Sequence, residues 1–548
     1  MRFNSVHSAT LQPRRDSARL EPPIPTAARH ISSVHCLRRS IPMVVLALGL
    51  NGMAAMSWAQ AQPALQGSII RGATIISPES PHDGEIADFL VANGRIMSIS
   101  ASIPDGAYEV INAEGRYVLP GLIDGHVHLY HATGLRRRDT PDFEALHAAY
   151  MEQLPRSYLF HGFTTVVELN ADPETNAQFL KSPIRPNLLH CGPAVVLPDG
   201  FMALDYAPDQ VVSAFPALLH DRFGRDNTLL PGMIAAEHTP DAVLDVIQDA
   251  GGVCVKLYYE EALWWPGGAP DFALPTVSIV HELTTAAHAR GMTVFLHATT
   301  PAGFELGMAS GVDIFAHGPW EWPDDGFSAS RPGPQIESLM ASLAESEQGV
   351  QSTIRTVANT RSLFQPGLLA DPAWLDVMPA EVMEHLRTGA QVQRAQFIAR
   401  FGEIIIAEGG ALDDLPDLQG NFVQRYQTLI ADYIRTGGTL LFGTDTAVGG
   451  FGWASPPGLA GYWEMLDLEA AGISADAILA AATIKNARSL GIADTHGLIA
   501  PGYKADLLLL TEDPRTGIAA MNSIRSVWID GRQLDREALS ARQSGEAP

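Results

Sequence analysis

The order of apolar and polar positions divides this 548-residue chain into two patterns. Toward both ends, short β-branched or apolar runs alternate with turns. Ser68-Ile69-Ile70, Phe89-Leu90-Val91 and Arg95-Ile96-Met97-Ser98-Ile99 are such runs, and Asn93-Gly94 between two of them is a strong hairpin signal. Ala505 to Leu510, and Ser526-Val527-Trp528-Ile529 before Asp530-Gly531, read the same way. In the middle, apolar strands alternate with helical stretches such as Pro275 to Arg290, stopped by Gly291, as in a parallel sheet with crossover helices. Thr164 to Leu169 reads as the second strand of that sheet, Pro193 to Leu197 as the close of the third, and Val350 to Thr356 as the seventh. Asn359 to Gly438 is long for one connection and largely helical in pattern, so it reads as an insertion near the mouth, a candidate lid. No repeat or low-complexity segment interrupts the chain.

The central strands end alike. Leu119-Pro120-Gly121-Leu122-Ile123-Asp124-Gly125-His126-Val127-His128 is an apolar strand closing on two imidazoles at i and i+2, which strand alternation places on one face. Val253-Cys254-Val255-Lys256-Leu257, Val294-Phe295-Leu296-His297, Ile314-Phe315-Ala316-His317 and Leu441-Phe442-Gly443-Thr444-Asp445 each carry a potential metal ligand at or near a strand end. A lone His-x-His is a weak signal. Agreement across five strand ends is a much stronger one, and it describes a single site at the C-terminal mouth of a parallel barrel. Imidazole and carboxylate donors suit zinc and similar divalent ions.

This segment order predicts an α/β protein: a (β/α)8 TIM barrel over residues 120–489, with the insertion at 359–438. Residues 62–119 and 490–548 are expected to form a small β-sandwich domain from both chain ends. Residues 1–61 read as a leader and signal peptide. Arg38-Arg39, the apolar run Ile41 to Met56 and Ala59-Gln60-Ala61 make a basic region, a short apolar core and a small-x-small cleavage site. The expected destination is secreted or periplasmic; a membrane anchor over residues 41–56 is the rival, weakened by the run's shortness and by Asn51-Gly52. The leader of about forty residues before this segment has no assigned role.

Composition narrows the partners. Hydrophobic residues make up 46% of the chain and mean hydropathy is +0.05, as in a globular enzyme with a sizeable core. The net charge is −25, and without residues 1–61 the balance is 29 basic to 59 acidic residues, or −30. Such a polyanion repels nucleic acid and anionic membranes, which leaves a small-molecule substrate as the expected partner, with self-association left open. Beyond the leader only Cys191 and Cys254 remain; no disulfide framework is evident, and Cys254 reads as a small core residue on the face of Lys256.

From about Gln66 to Leu534 the chain resembles the amidohydrolase superfamily, in a binuclear subgroup like the prolidases and imidazolonepropionase-related enzymes. Val118 to His128 is similar to the family's first-strand motif. Ala480-Ala481-Ala482-Thr483-Ile484-Lys485-Asn486-Ala487-Arg488 and Gly497 to Leu507 are similar to its closing segments. The resemblance implies that His126 and His128 hold one metal and His297 and His317 the other. It also implies that Lys256, carboxylated on its amine, bridges two divalent ions, expected to be zinc, and that Asp445 is both a ligand and the catalytic aspartate. Physical chemistry agrees about Lys256: an ammonium repels a divalent cation, whereas a carbamate offers two oxygens. Val167-Glu168 departs from the Arg-Asp of many relatives, which puts substrate contacts from that position in doubt.

The implied reaction is hydrolysis of an amide bond by a metal-bridging hydroxide, on a dipeptide or N-acyl amino acid with a carboxylate near the scissile bond. His131, Tyr258, Tyr259 and Arg136 are the candidate substrate contacts; for Arg136-Arg137-Arg138 a solvated loop competes with a carboxylate clamp. Trp264, Trp265, Trp320 and Trp322 are candidates to line an apolar pocket or to pack the lid. His190, His238, His281 and His288 read as structural or surface residues. Two rival readings stay open: a single-metal deaminase or cyclic-amide ring-opening hydrolase, and a non-catalytic relative. Ala298-Thr299-Thr300-Pro301 after His297 lacks the glutamate such deaminases place there, and none of the expected ligands is missing.

Overall fold

The computed structural model describes residues 67–542, apart from 138, 205, 226–228, 264–269, 323–328, 330, 360, 408–410, 412–414, 448–452 and 454. Strands β1 (Gly67–Ile75), β2 (Ile86–Ala92), β3 (Arg95–Ser100), β4 (Glu109–Asn112) and β5 (Tyr117–Pro120) open the chain. The central strands are β6 (Leu122–Val127), β7 (Phe163–Glu168), β8 (Asn187–His190), β9 (Cys254–Tyr259), β10 (Thr293–Ala298), β11 (Ile314–Phe315), β12 (Gly349–Gln351) and β13 (Thr439–Leu441). The last are β14 (Leu507–Leu510), β15 (Ile524–Ile529) and β16 (Arg532–Asp535).

Both chain ends share one mixed sheet, in the order β16-β15-β14-β5-β1-β2-β3 with β4 also on β1. Where the sequence suggests a sandwich, hydrogen bonding runs unbroken from β16 to β3. The reason is β1, which pairs in parallel with β4 along its first half and with β5 along its second. Asn93 (φ 53°) and Gly94 (φ 74°) make the β2–β3 turn, and Asp530 (φ 48°) and Gly531 (φ 76°) the β15–β16 turn; both pairs need positive φ. The unbroken Leu507–Leu510 run has a simple cause. Leu507 and Leu509 face the small sheet's own core with Phe89 and Trp528, while Leu508 and Leu510 face the main core.

The central strands are all parallel, in a three-stranded ladder β6-β7-β8 and a five-stranded ladder β13-β12-β11-β10-β9. Ladder bonding stops short of one closed ring. Single bridges cross the two seams, Val195 to Leu257 on one side and Val127 to Thr446 on the other. The first seam is also crossed by a buried Cys191–Cys254 disulfide, with Cα atoms 4.3 Å apart. This corrects the reading of Cys254 as a small core residue in a chain without disulfides: the end of β8 lies beside the start of β9, a proximity that a separation of 63 residues hides.

Two strand boundaries differ from expectation. The third ladder strand is Asn187–His190, and Val195 and Val196 make only isolated bridges. The seventh stops at Gln351, because Thr353 turns the chain (φ 42°) into a short helix, Ile354–Ala358. The buried Glu464 carboxylate holds that helix start, accepting from Ile354 N at 3.0 Å and Arg355 N at 2.7 Å.

The 359–438 stretch is largely helical, with Ala380–Ala407 and Leu415–Arg435 its long helices. Val423, Tyr426, Leu429, Ile430 and Tyr433 are buried at helical spacing, and the Tyr426 hydroxyl donates to Ser352 O at 2.6 Å and accepts from Gly318 N at 2.7 Å. This packs the second long helix over the ends of β11 and β12. Among the described residues no helix is long and apolar enough to cross a membrane, and the Ile41 to Met56 run lies outside them.

Candidate metal centre

Strand β6 delivers His126 and His128 to one face, as the i, i+2 spacing requires. The β6 backbone comes close to the segment after β13: Gly125 N donates to Phe442 O at 3.0 Å, and a Cβ at Gly125 would stand 2.8 Å from that oxygen. Asp124 ties the two segments, accepting from His126 N (3.2 Å), Thr444 N (3.1 Å) and Thr444 Oγ1 (2.7 Å). Burial lifts the Asp124 carboxyl to about 7. Asn486 adds Nδ2 bonds to Ile123 O (3.0 Å) and Phe442 O (2.7 Å).

That knitting brings Asp445 to the histidines. Asp445 sits in the left-handed region (φ 57°), held by its N–H on His126 O at 2.8 Å. Its Oδ1 lies 3.2 Å from His126 Nε2 and 3.0 Å from His128 Nε2. One ligand atom from each of His126, His128 and Asp445 falls within 4.8 Å of the others. His126 is fully buried and neither of its ring nitrogens has a hydrogen-bond partner. Two orphaned nitrogens in a buried imidazole facing a carboxylate oxygen is what a metal ligand looks like.

The other histidines adjoin this group. The His317 ring lies 5.2 Å from His126 and 4.7 Å from His297, centroid to centroid. In three of the four rings one nitrogen is already engaged. His128 Nδ1 meets Glu168 Oε1 at 3.3 Å, His297 Nε2 meets Glu260 Oε2 at 2.8 Å, and His317 Nδ1 meets Thr353 Oγ1 at 2.8 Å. Such bonds fix ring orientation and tautomer and leave the opposite nitrogen as the donor to a metal. Buried Glu168 is itself held by the N–H groups of Leu129 and Asn170.

Charges follow the burial. Burial, reinforced by Lys256, pushes His126 down to about 3, so it stays a neutral ligand. For His128 burial acts in the same direction, but Asp445 and Glu168 outweigh it and raise the ring to about 9. Burial also opposes the Asp445 charge, yet His126 and His128 hold that carboxyl well below the usual range. Lys256 is 1% exposed, its Nζ 5.5 Å from the Tyr258 ring centroid, with no ion pair among the described residues. Burial lowers its amine to about 7, only partly offset by Asp445.

Of the candidate substrate contacts, His131 lies tilted 42° against Tyr130 (4.0 Å) with its ring 6.3 Å from His128, and Tyr258 faces His297 (5.4 Å). Tyr259 points the other way, against Gly303 in the following helix. Arg136 is engaged by Asp139 at 2.7 Å and by Gln396 at 3.2 Å, and Arg137 pairs with Glu144. Arg138, Trp264 and Trp265 lie outside the described residues. Trp320 stands 4.8 Å from His317, whereas Trp322 is fully buried beneath the Arg425 guanidinium. His281 and His288 are exposed, His288 paired with Asp313, and His238 bonds Leu218 O at 2.8 Å. Glu260, Thr353 and Gln351, which bonds Gly125 O at 2.8 Å, escaped the sequence reading. Only Glu260, four residues beyond Lys256 at a strand mouth, carried a usable signal.

Two segments match models described as the amidohydrolase family: residues 109–177, which carry His126 and His128, and residues 428–534, which carry Asp445. Over these two segments the chain is similar to the amidohydrolase family. Adenine deaminase from Deinococcus radiodurans is 38% identical over 61 residues, 11% of each chain. The chain matches only 11 to 22% of the length of such curated relatives. Over 86% of its own length it superposes on all of a Xaa-Pro dipeptidase structure with bound methionine (TM-score 0.58, 18% identity). It also superposes on 95% of a putative prolidase from Bifidobacterium longum (TM-score 0.54, 19% identity, 86% of this chain). At such identities the likeness is one of fold.

Proposed function

We propose that this protein is a metal-dependent hydrolase of amide C–N bonds in small molecules, dipeptides or N-acyl amino acids among them. The observation that carries the reading is the buried His126–His128–Asp445 group with the His126 nitrogens unpartnered. In this reading the two ladders act as one eight-stranded barrel and the 359–438 helices as its lid. His126 and His128 would hold one divalent ion and His297 and His317 a second. Lys256 would serve as a further ligand once its amine has added carbon dioxide as a carbamate and released a proton; its burial, with no ion pair among the described residues, supports this. Such ions, zinc being well suited to this donor set, polarise a carbonyl and make water acidic near neutral pH. Asp445, ionised and aimed at the same point as the histidines, takes the proton of the attacking water at its carboxylate and passes it to the leaving nitrogen. Tyr258 and His131 flank the site and contact the substrate.

Elemental analysis of protein purified without chelator, joined to a turnover panel of dipeptides, N-acyl amino acids, lactams and esters, tests the reading. It expects about two ions per chain and preferential cleavage of open-chain amides. Full activity with one ion or fewer sinks the two-ion site. That result would favour the single-ion deaminase or ring-opening reading, which the tightness of the three-ligand group supports. A metal-free, inactive protein would sink both.

A further inference from the structure

Two threonines at one short helix reach the candidate centre. Thr353, just before Ile354–Ala358, meets His317 Nδ1 at 2.8 Å, and Thr356, within that helix, donates to Asp445 Oδ2 at 3.1 Å. The second bond leaves Asp445 Oδ1 facing His126 and His128. Thr353 is β-branched and stands at φ 42°, a conformation that persists only where the surroundings impose it. What imposes it is Glu464, fully buried on the helix Leu459–Ala470. Its Oε1 accepts from Ser352 Oγ and from Ile354 N at 3.0 Å, and its Oε2 accepts from Arg355 N at 2.7 Å. Donors from both sides of Thr353 thus converge on two oxygens. A carboxylate accepts at both, whereas an amide would turn an NH2 on one of them.

We propose that Glu464 is a positioning residue of the metal centre: by fixing the turn from Ser352 to Arg355 it keeps Thr353 on His317 and Thr356 on Asp445. The proposal rests on the amide-hydrolase reading above. One carboxylate, with no bond to any candidate ligand, then sets two things together. Through Thr353 it fixes the ring of His317, leaving Nε2 for an ion. Through Thr356 it aims the aspartate that takes the proton. The Arg355 side chain supplies an internal control, because it joins the same two helices by its bond to Asp467 (2.9 Å) without touching the turn's N–H groups.

The test uses the full chain at about pH 8, above the value of about 7 to which burial lifts the Glu464 carboxyl. Zinc titration of the apo protein and the visible bands of cobalt-loaded protein read the His317 arm. Amide turnover reads the Asp445 arm. In Glu464→Gln, zinc affinity at the His317 position and kcat are each expected to fall about 10- to 100-fold, with altered cobalt bands and KM near the parent's. Asp467→Asn is expected to lower Tm and to leave both readouts at the parental level. Thr353→Val should lower zinc affinity and Thr356→Val kcat, and adding Glu464→Gln to either should cost less than the sum of the two. Parental affinity and turnover in folded Glu464→Gln overturn the proposal, as do equal losses in Asp467→Asn or strictly additive losses in the double variants. Should Glu464→Gln not fold, Ser352→Ala, which removes one of the three donors, takes its place: smaller losses in both readouts support the proposal and none overturns it. A parent that binds no metal and cleaves no amide sinks the hydrolase reading and the proposal with it. A metal-loaded, active parent matched by Glu464→Gln sinks the proposal alone.

Discussion

Histidines at strand ends are common; what distinguishes these four is the state of their nitrogens. His126 has no hydrogen bond at either, its Nε2 facing only the Asp445 carboxylate at 3.2 Å, and His128, His297 and His317 each have one nitrogen held by Glu168, Glu260 or Thr353. The proposed ligands were legible as candidates because each closes an apolar run. Their supporting partners were not, because no spacing links Thr353 to His317 or Glu168 to His128 until the strands pair. Glu260→Ala should weaken binding at the His297 position by about 10- to 100-fold in titrations of apo protein with zinc, and Glu260→Gln should recover most of it, since an amide oxygen still accepts from Nε2. Equal affinity in all three proteins would show Glu260 to be a bystander. Asp445→Asn keeps the shape and one oxygen donor but cannot accept a proton. It should retain most of its metal while kcat falls at least about 10²-fold. Parental turnover in that variant would move the proton to another group, with Glu168 and His131 next to be mutated. Lys256→Ala should lose one or both ions, and bicarbonate with a short carboxylic acid should restore some activity; a fully loaded variant would argue against the carbamate.

Between elements, most of the plan was readable and the exceptions share a cause. Alternation and turn residues gave the β2–β3 hairpin and the strand–helix order. They missed the early end of β12, which depends on a carboxylate from a helix over a hundred residues away, and the Cys191–Cys254 bond, which depends on β8 lying beside β9. That bond closes a 63-residue loop across a seam with little ladder bonding. Replacing both cysteines by alanine should cost about 2–4 kcal/mol of stability, read as a lower urea midpoint at unchanged slope. An unmoved midpoint would mean that the seam holds without its covalent link.

At the scale of the whole molecule, we propose from the basic, apolar segment ahead of Gln62 that the protein is exported. We expect N-terminal sequencing of protein from its native host to begin near Gln62, outside the cytoplasm; an intact leader in the soluble cytoplasmic fraction would refute this. The small sheet built from both ends has a bearing on handling the protein. β5 ends at Pro120 and β6 begins at Leu122, so one residue separates the terminal sheet from the strand that carries the metal ligands. Gly121 N is fixed to Asp506 O at 2.8 Å, just before β14. Mechanically, the two sheets are joined by a beam with no slack. A pull on the C-terminal strands, from a bulky fusion partner or a surface attachment, is transmitted to His126 within a few peptide units. β1 pairs with β5 directly whereas β16 stands three strands away, so a tag beyond β16 loads the ligand strand through more intervening pairings than one joined just ahead of Gly67.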